Sequence, residues 1–341
     1  MKNIIKLQRR NIFTVLAVVI SYSISAQDVR FTQMLANPLT LNPAMMGLNP
    51  DLKFTLQYRN QWGSIDKGYS TASFTAQAPV YINQGRDKLD IGFNALNDQA
   101  GAFNTLNLSL AVGYNVQVSE LSHINFSIMG GFIQKSLNTT NLSFDEQYIV
   151  GAYSASNPNN ELVLNKMVNY ADISFGTMWY CSPVKVDVGK LHTFKAYLGA
   201  SAFHLNTPPN ESFSGGTGNL PMRFSCQGGI KIVGENKLDI TPNVIVNSQQ
   251  GNNNVAAGLL ADYRFDSIAK LTLGVWFRTK DAIAFSIGFS HKIFALTYSY
   301  DVVGTSPISY SASRLNAHEL TLSLKFNHAE KKGIKVIPAF F

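Results

Sequence analysis

Leu106-Asn-Leu-Ser-Leu-Ala-Val-Gly-Tyr-Asn-Val-Gln117 alternates without a break. Leu106, Leu108, Leu110, Val112, Tyr114 and Val116 stand against Asn107, Ser109, Ala111, Gly113, Asn115 and Gln117. Successive side chains of a strand point to opposite faces, whereas helical spacing would scatter the polar residues around the axis. The pattern recurs in Asp281–His291, where Ile283, Phe285, Ile287 and Phe289 oppose Ala284, Ser286, Gly288 and Ser290. It recurs again in Leu320–Phe326, where leucines alternate with Thr321, Ser323 and Lys325. One greasy face per strand, opposed by small polar residues along the chain, predicts an all-β fold: a transmembrane antiparallel β-barrel with lipid outside and a polar lumen.

About fourteen such segments can be drawn, at approximately 52–62, 68–78, 88–97, 104–118, 122–135, 169–181, 192–204, 221–234, 237–248, 254–265, 269–279, 281–291, 293–301 and 315–326. An even count returns both ends to one side of the membrane. The three longest connections, Ser136–Val168, Leu205–Leu220 and Val302–Arg314, all fall at odd positions. Even ones include the tight Ser119–Leu121, Glu235–Asn236 and Lys292. Long loops outside and short turns in the periplasm are the arrangement of outer-membrane barrels. Trp62 and Trp276 near outer strand ends, and Trp179 with Tyr180 near an inner end, are expected to form aromatic belts.

The chain opens with Lys2, Lys6, Arg9 and Arg10 ahead of the apolar stretch Ile12–Ile20, and Ser-Tyr-Ser-Ile-Ser-Ala26 leads to Gln27. Basic, apolar and small residues in that order predict a secretory leader, residues 1–26, cut after Ala26. A bilayer-spanning helix needs about 20 apolar residues, more than this run offers, and no Cys follows the cut to carry a lipid anchor. The mature protein is therefore expected in the cell outer membrane. Its parts would be a non-strand segment 27–50 (periplasmic or plug-like), a barrel 51–327, and a periplasmic tail 328–341 with Lys331, Lys332 and Lys335. That tail reads either as a solvated end or as a dock for an acidic periplasmic partner.

Charge and composition narrow the function. Four of the 28 basic residues leave with the leader and none of the 21 acidic ones do, so the formal +7 falls to +3. No nucleic-acid partner is expected. Only 14% of residues are charged, against about a quarter in ordinary globular chains, and the expected lumen carries few opposed charges. Cys181 and Cys226 enter an oxidising compartment, which leaves a disulfide open. Their register, on different strands at different depths, favours two small buried or lipid-facing residues instead.

Within the non-strand segment stand Phe31-Thr-Gln33 and Asn37-Pro38-Leu-Thr-Leu-Asn42-Pro43-Ala44-Met-Met-Gly47. Proline fixes φ and pushes the residue before it toward extended geometry, while the Asn side chain bonds nearby backbone. Two Asn-Pro turns five residues apart predict a compact, ordered segment, a plug or rim inside or beneath the barrel. Tyr58-Arg59-Asn60-Gln61-Trp62 follows on the first strand, with Arg59 and Gln61 sharing the lumenal face with Gln57.

Gln33, Asn37-Pro38, Asn42-Pro43-Ala44 and Gly47, followed by Tyr58, Arg59, Gln61 and Trp62, resemble the opening signature of the PorP/SprF family. These are outer-membrane proteins of the Bacteroidetes type IX secretion system and gliding machinery. The resemblance continues in Arg278-Thr-Lys-Asp281 at a turn, in Tyr298-Ser-Tyr300-Asp301 ending a strand, and in His318-Glu319-Leu320 opening the last strand. It implies a barrel that works beside the translocon, in secretion or surface anchoring of a large adhesin with a type B C-terminal domain. Other type IX components in the periplasm and outer membrane are its further implied partners.

No enzyme is expected. His123, His192, His204, His291, His318 and His328 are not paired with Cys or carboxylates at metal-ligand spacing, and no nucleophile elbow or P-loop is present. The Gly-rich Ser212–Gly218 reads as loop. Asp145-Glu146 could take up a cation but reads first as solvated loop. No cofactor is implied. The alternative to a secretion accessory is a general porin or transporter for small solutes, since fourteen strands enclose more space than the filled interior of an eight-stranded barrel.

Overall fold

The computed structural model describes residues 28–63, 68–82, 87–138, 142, 144–149, 152–154, 156–157, 167–184, 191–208, 218–234, 236–279, 281–302 and 316–326. The leader, the tail from residue 327, the Gly-rich 212–217 and the connection 303–315 lie outside them.

Alternation becomes strand wherever the sequence shows it. The chain forms β1 (Leu52–Gln61), β2 (Tyr69–Ile82), β3 (Asp87–Ala100), β4 (Phe103–Ser119), β5 (Ser122–Leu137), and a short hairpin β6 (Tyr148–Ile149) and β7 (Ala152–Tyr153). It continues with β8 (Met167–Val184), β9 (Leu191–Phe203), β10 (Arg223–Gly234), β11 (Leu238–Gln249), β12 (Asn252–Arg264), β13 (Ala269–Arg278), β14 (Ile283–His291), β15 (Phe294–Val302) and β16 (Ala317–Phe326). All but β6 and β7 join one closed antiparallel barrel of fourteen strands. It is sealed by β1 against β16, from Leu52 opposite Phe326 to Gln61 opposite Ala317. Closure leaves no unpaired edge and satisfies every strand within the ring, which a bilayer demands.

The two faces divide as the alternation requires. Leu110, Ile128 and Leu198 point outward and are each more than 60% exposed. Thr55, Thr75, Ser174 and Asn125 point inward and are buried. The three long connections leave from one end, which is the outer end under the general architecture of these barrels. At the opposite, inner end the ladder is irregular at Gln117/Ser119, Cys181/Val184 and Val233/Gly234, where bulges are common at barrel rims. The β11–β12 turn is Gln250-Gly251, both at positive φ (48° and 77°), the conformation that lets a two-residue hairpin follow the strand twist.

Two expectations need correction. Trp276 and Tyr180 are not belt residues: both are inward and buried, because Trp276 shares parity with Thr272, Gly274 and Arg278. Trp276 packs over Gly258, where any side chain would strike the indole. Trp179 does face outward, and Trp62 rests on Tyr69 at the outer end, ring centres 4.8 Å apart. Cys181 is buried, Cys226 is exposed on the outer face, and both are free.

Residues 28–51 are not strand. They form a one-turn helix Pro38–Leu41 and a 3-10 helix Pro43–Leu48, and they lie amid the inward-facing side chains. Met34, Leu41, Ala44, Met45 and Leu48 pack with Met178, Tyr180, Tyr197, Ile245, Ala256, Trp276 and Ala284 of the wall. Leu39 and Met46 pack with Ala111, Met129 and Phe203. The lumen therefore holds apolar strips as well as polar ones, and hydrophobic burial fixes the segment there.

Candidate functional site

Near the outer end, four stretches far apart in sequence meet around Thr32. Asp301 Oδ2 lies 2.6 Å from Arg59 Nη2 and 2.6 Å from Arg278 Nη2. Arg59 Nη1 also lies 3.3 Å from Glu319 Oε2, and Arg278 Nε lies 3.0 Å from Asp281 Oδ2. Into this cluster the segment donates three hydrogen bonds. Thr32 N reaches Glu319 Oε2 at 2.6 Å, Gln33 N reaches Glu319 Oε1 at 2.9 Å, and Thr32 Oγ1 reaches Asp301 Oδ1 at 2.7 Å. Arg59 Nη1 donates in turn to the Thr32 hydroxyl. Buried charges persist only when paired and hydrogen-bonded, and here part of the pairing comes from the N-terminal segment itself.

A second cluster holds the chain four residues earlier. His204 Nε2 lies 2.9 Å from Asp28 Oδ2 and its Nδ1 lies 2.8 Å from Asp172 Oδ1. Arg223 Nε lies 3.0 Å from the same Asp28 oxygen, and its guanidinium sits 4.1 Å over the Phe203 ring. Burial works against the Asp28 charge, yet Arg223 and His204 hold its carboxyl well below the usual range. Burial likewise opposes a charge on His204, but the hydrogen bonds to Asp172 and Asp28 outweigh it and raise the imidazole to about 9. With both ring nitrogens taken by carboxylates, His204 has none left to serve as a general base. Among the described residues no group of three or more His, Cys, Asp or Glu could hold a metal ion.

Between the clusters and the inner end, the Asn-Pro turns dock on the wall. Asn37 Nδ2 donates to Ser73 Oγ at 2.7 Å, and its Oδ1 accepts from Thr75 Oγ1 at 3.0 Å. Asn42 caps the 3-10 helix, its Oδ1 accepting from Ala44 N at 2.9 Å. Its Nδ2 donates to the carbonyls of Thr177 and Ala200 at 3.0 and 3.2 Å. That approach requires Gly176 and Gly199, since a β-carbon on either would meet the Asn42 amide. Gly47 is needed for the same reason against Asn115 and Asn125. At the inner end Lys88 Nζ and Tyr81 Oη donate to the carbonyls of Asn49 and Pro50, at 2.9 and 2.7 Å. The segment thus runs the height of the barrel, from Asp28 at the outer end to Pro50 at the inner one.

The description "Type IX secretion system membrane protein PorP/SprF" matches residues 23–324. The chain belongs to this family. No curated protein matches it. Among solved structures it is similar to the Pseudomonas putida toluene transporter TodX, at 8% identity over 89% of this chain and 96% of that one, TM-score 0.51. It is similar also to the Ralstonia pickettii toluene transporter TbuX, at 10% identity over 85% and 94%, TM-score 0.49. At 8% identity the likeness to TodX is one of fold alone.

In this PorP/SprF barrel the signature residues separate by face. Gln33, Asn37, Pro38, Asn42, Pro43 and Gly47 lie inside, and Arg59 joins them from β1. Gln61 stands half-buried at the outer end, where Trp62 N donates to Asn316 O at 3.0 Å. Tyr58 points outward and is exposed. Thr32, Arg278, Asp301 and Glu319 are the main omissions from the signature, though the last three sit in stretches that resemble the family. Asp172 and Arg223 carried no sequence signal beyond strand parity, and Asp28 and His204, which lie outside the strands, carried none that joins them. The expectation of few opposed lumenal charges fails: besides the two clusters, Lys88 pairs with Asp90 at 3.1 Å and Arg264 with Asp239 at 3.1 Å. Charged residues are sparse in the sequence, but the inner face concentrates them.

Proposed function

We propose that this outer-membrane barrel of the type IX secretion system is a non-enzymatic accessory that assists secretion or surface anchoring of a large adhesin with a type B C-terminal domain, in the service of gliding. The observation that carries the reading is the buried N-terminal segment. A barrel whose interior is occupied by Phe31, Leu39, Met45 and Met46 is poorly suited to open conduction, and better suited to presenting outer loops to a partner. Membership of a secretion-system family supplies the kind of partner. Deleting the gene should remove one large adhesin from the cell surface while its synthesis continues, and restoring the gene should return it. Normal display of every such adhesin would rule the reading out.

A general transporter for small solutes is the second reading. The architecture shared with a protein described as a toluene transporter favours it. Solute uptake lost on deletion, with adhesin display intact, would establish it in place of the first.

A further inference from the structure

We propose that the outer wall where β1, β16 and β15 meet is a two-fold interface with a second copy of this chain. The strands that turn Arg59, Glu319 and Asp301 into the lumen turn Tyr58, Asn60, His318, Tyr298 and Tyr300 outward, because neighbours along a strand point to opposite faces. Tyr58 and Tyr298 flank Leu320 in one row, and Asn60 and Tyr300 flank His318 in the next row toward the outer end. Tyr58, Tyr298 and His318 are exposed. Tyr298 Oη and His318 Nδ1 lie 2.7 Å apart, and the Tyr300 ring centre stands 5.0 Å from that of the imidazole. With the hydroxyl donating to Nδ1, the neutral imidazole carries its proton at Nε2. Among the described residues Nε2, the Asn60 amide and the hydroxyls of Tyr58 and Tyr300 meet no partner.

These groups lie within the apolar band rather than above it. Ile283 and Val302, directly opposite each other on β14 and β15, stand one outward-facing position nearer the outer end than Tyr300, and both are exposed. An interfacial aromatic belt explains tyrosine at a rim, but not a histidine and an asparagine below that apolar row. Hydrocarbon offers no hydrogen bonds, so polar groups facing it are costly until a protein neighbour satisfies them. Side chains of this kind join membrane-spanning elements to one another. The row is also complementary to itself. Asn60 and His318 pair across the β1–β16 ladder, so a two-fold axis along the membrane normal between those strands sets His318 of each copy against Asn60 of the other at nearly equal depth. Nε2–H then donates to an amide oxygen twice over, the reciprocal pattern of an isologous contact. Tyr58 and Leu320, one row deeper, meet in the same way and supply apolar surface.

Cross-linking in membranes tests the proposal. Two differently tagged full-length copies, both C181A/C226A, are co-expressed, one with Asn60→Cys and the other with His318→Cys, and treated with a short membrane-permeant bis-maleimide. An adduct carrying both tags is expected severalfold above that from Leu110→Cys with Ile128→Cys, an outward-facing pair on β4 and β5. In nanodiscs the parent should scatter light as a dimer, while His318→Leu and Asn60→Leu should each shift it toward monomer. Leucine suits a lipid-facing position, so both variants should keep the heat-modifiable gel migration of a folded barrel. Equal adducts from the two cysteine pairs, a monomeric parent in nanodiscs, or dimers that persist in both leucine variants overturn the proposal. An adduct of these cysteines with a different protein in place of the second copy does so too. Each readout is assembly alone, so the result stands whether or not the adhesin reading holds.

Discussion

Asn42 fills the space that a β-carbon on Gly176 would need, and from there its amide donates to the wall carbonyls of Thr177 at 3.0 Å and Ala200 at 3.2 Å. The wall is cut to fit one side chain of the lumenal segment. Gly176→Ala should displace the second Asn-Pro turn and cost about 1–3 kcal/mol, the usual penalty for overpacking a well-filled interior. Gly130→Ala is the control, because a β-carbon there meets nothing within 4 Å. Urea unfolding in micelles, followed by tryptophan fluorescence, should show an earlier transition for the first variant and an unchanged one for the second.

Asp301 serves two arginines with one oxygen, at 2.6 Å to each. Arg59→Ala leaves Glu319 and part of Asp301 uncompensated in a buried site, and removing one partner of a buried pair costs about 3–5 kcal/mol. Arg59→Lys should rescue only part of this. A single ammonium cannot span Asp301, Glu319 and the Thr32 hydroxyl as the planar guanidinium does. The same unfolding measurement should rank the variants below the parent in the order Lys, then Ala.

The strands were readable because lipid and lumen impose period two on every one of them, and all fourteen stand close to where alternation places them. Aromatic residues were misleading at Trp276 and Tyr180, since residue type says nothing about face and parity does. The Asn-Pro turns announced an ordered segment, but not its path through the lumen. Thr32 meets Glu319 and Asp301 across more than 260 residues of chain, and no local pattern encodes a contact of that range.

His204 makes the outer end sensitive to pH. Its imidazole is raised to about 9 from the ordinary 6.5, so the charge it contributes stabilises fully below about 6.5 and is lost as pH rises through about 9. Asp28, held below the usual carboxylate range by Arg223 and His204, stays ionised throughout that interval and would then face Asp172 across a neutral ring. Hydrogen exchange of residues 28–36 should accelerate between pH 7 and pH 10 beyond the intrinsic rise. His204→Gln should remove the pH step, leaving the segment loosely held at every pH.

Residues 31–48 crowd the lumen, and their side chains are held by the wall at both ends. In planar bilayers the parent should therefore conduct poorly, and removal of residues 28–48 should raise single-channel conductance severalfold, since fourteen strands enclose space that side chains of the wall alone do not fill. Gly176→Ala should lie between the two. Equal conductance in parent and deletion would show that the segment leaves a pathway beside it.

Cys226 probes the outer face directly, and Cys181 serves as its buried control. Cys226 is exposed on the outer wall and its neighbours of like parity, Phe224 and Ile230, are exposed beside it, so in a bilayer its thiol sits in hydrocarbon. Cys181 is buried near the inner rim, where its sulfur accepts a hydrogen bond from Ala196 N at 3.3 Å. β9 separates their strands, and Ala196 opposite Cys181 is four residues from Ala200 opposite Cys226. That register keeps the sulfurs apart, beyond the Cα separation of about 7 Å that a disulfide tolerates. In vesicles, a membrane-soluble maleimide should modify Cys226, a charged membrane-impermeant one should modify neither, and both thiols should react after unfolding. Rapid labelling of Cys226 by the charged reagent in intact vesicles would place that face in water and overturn the assignment of lipid and lumen.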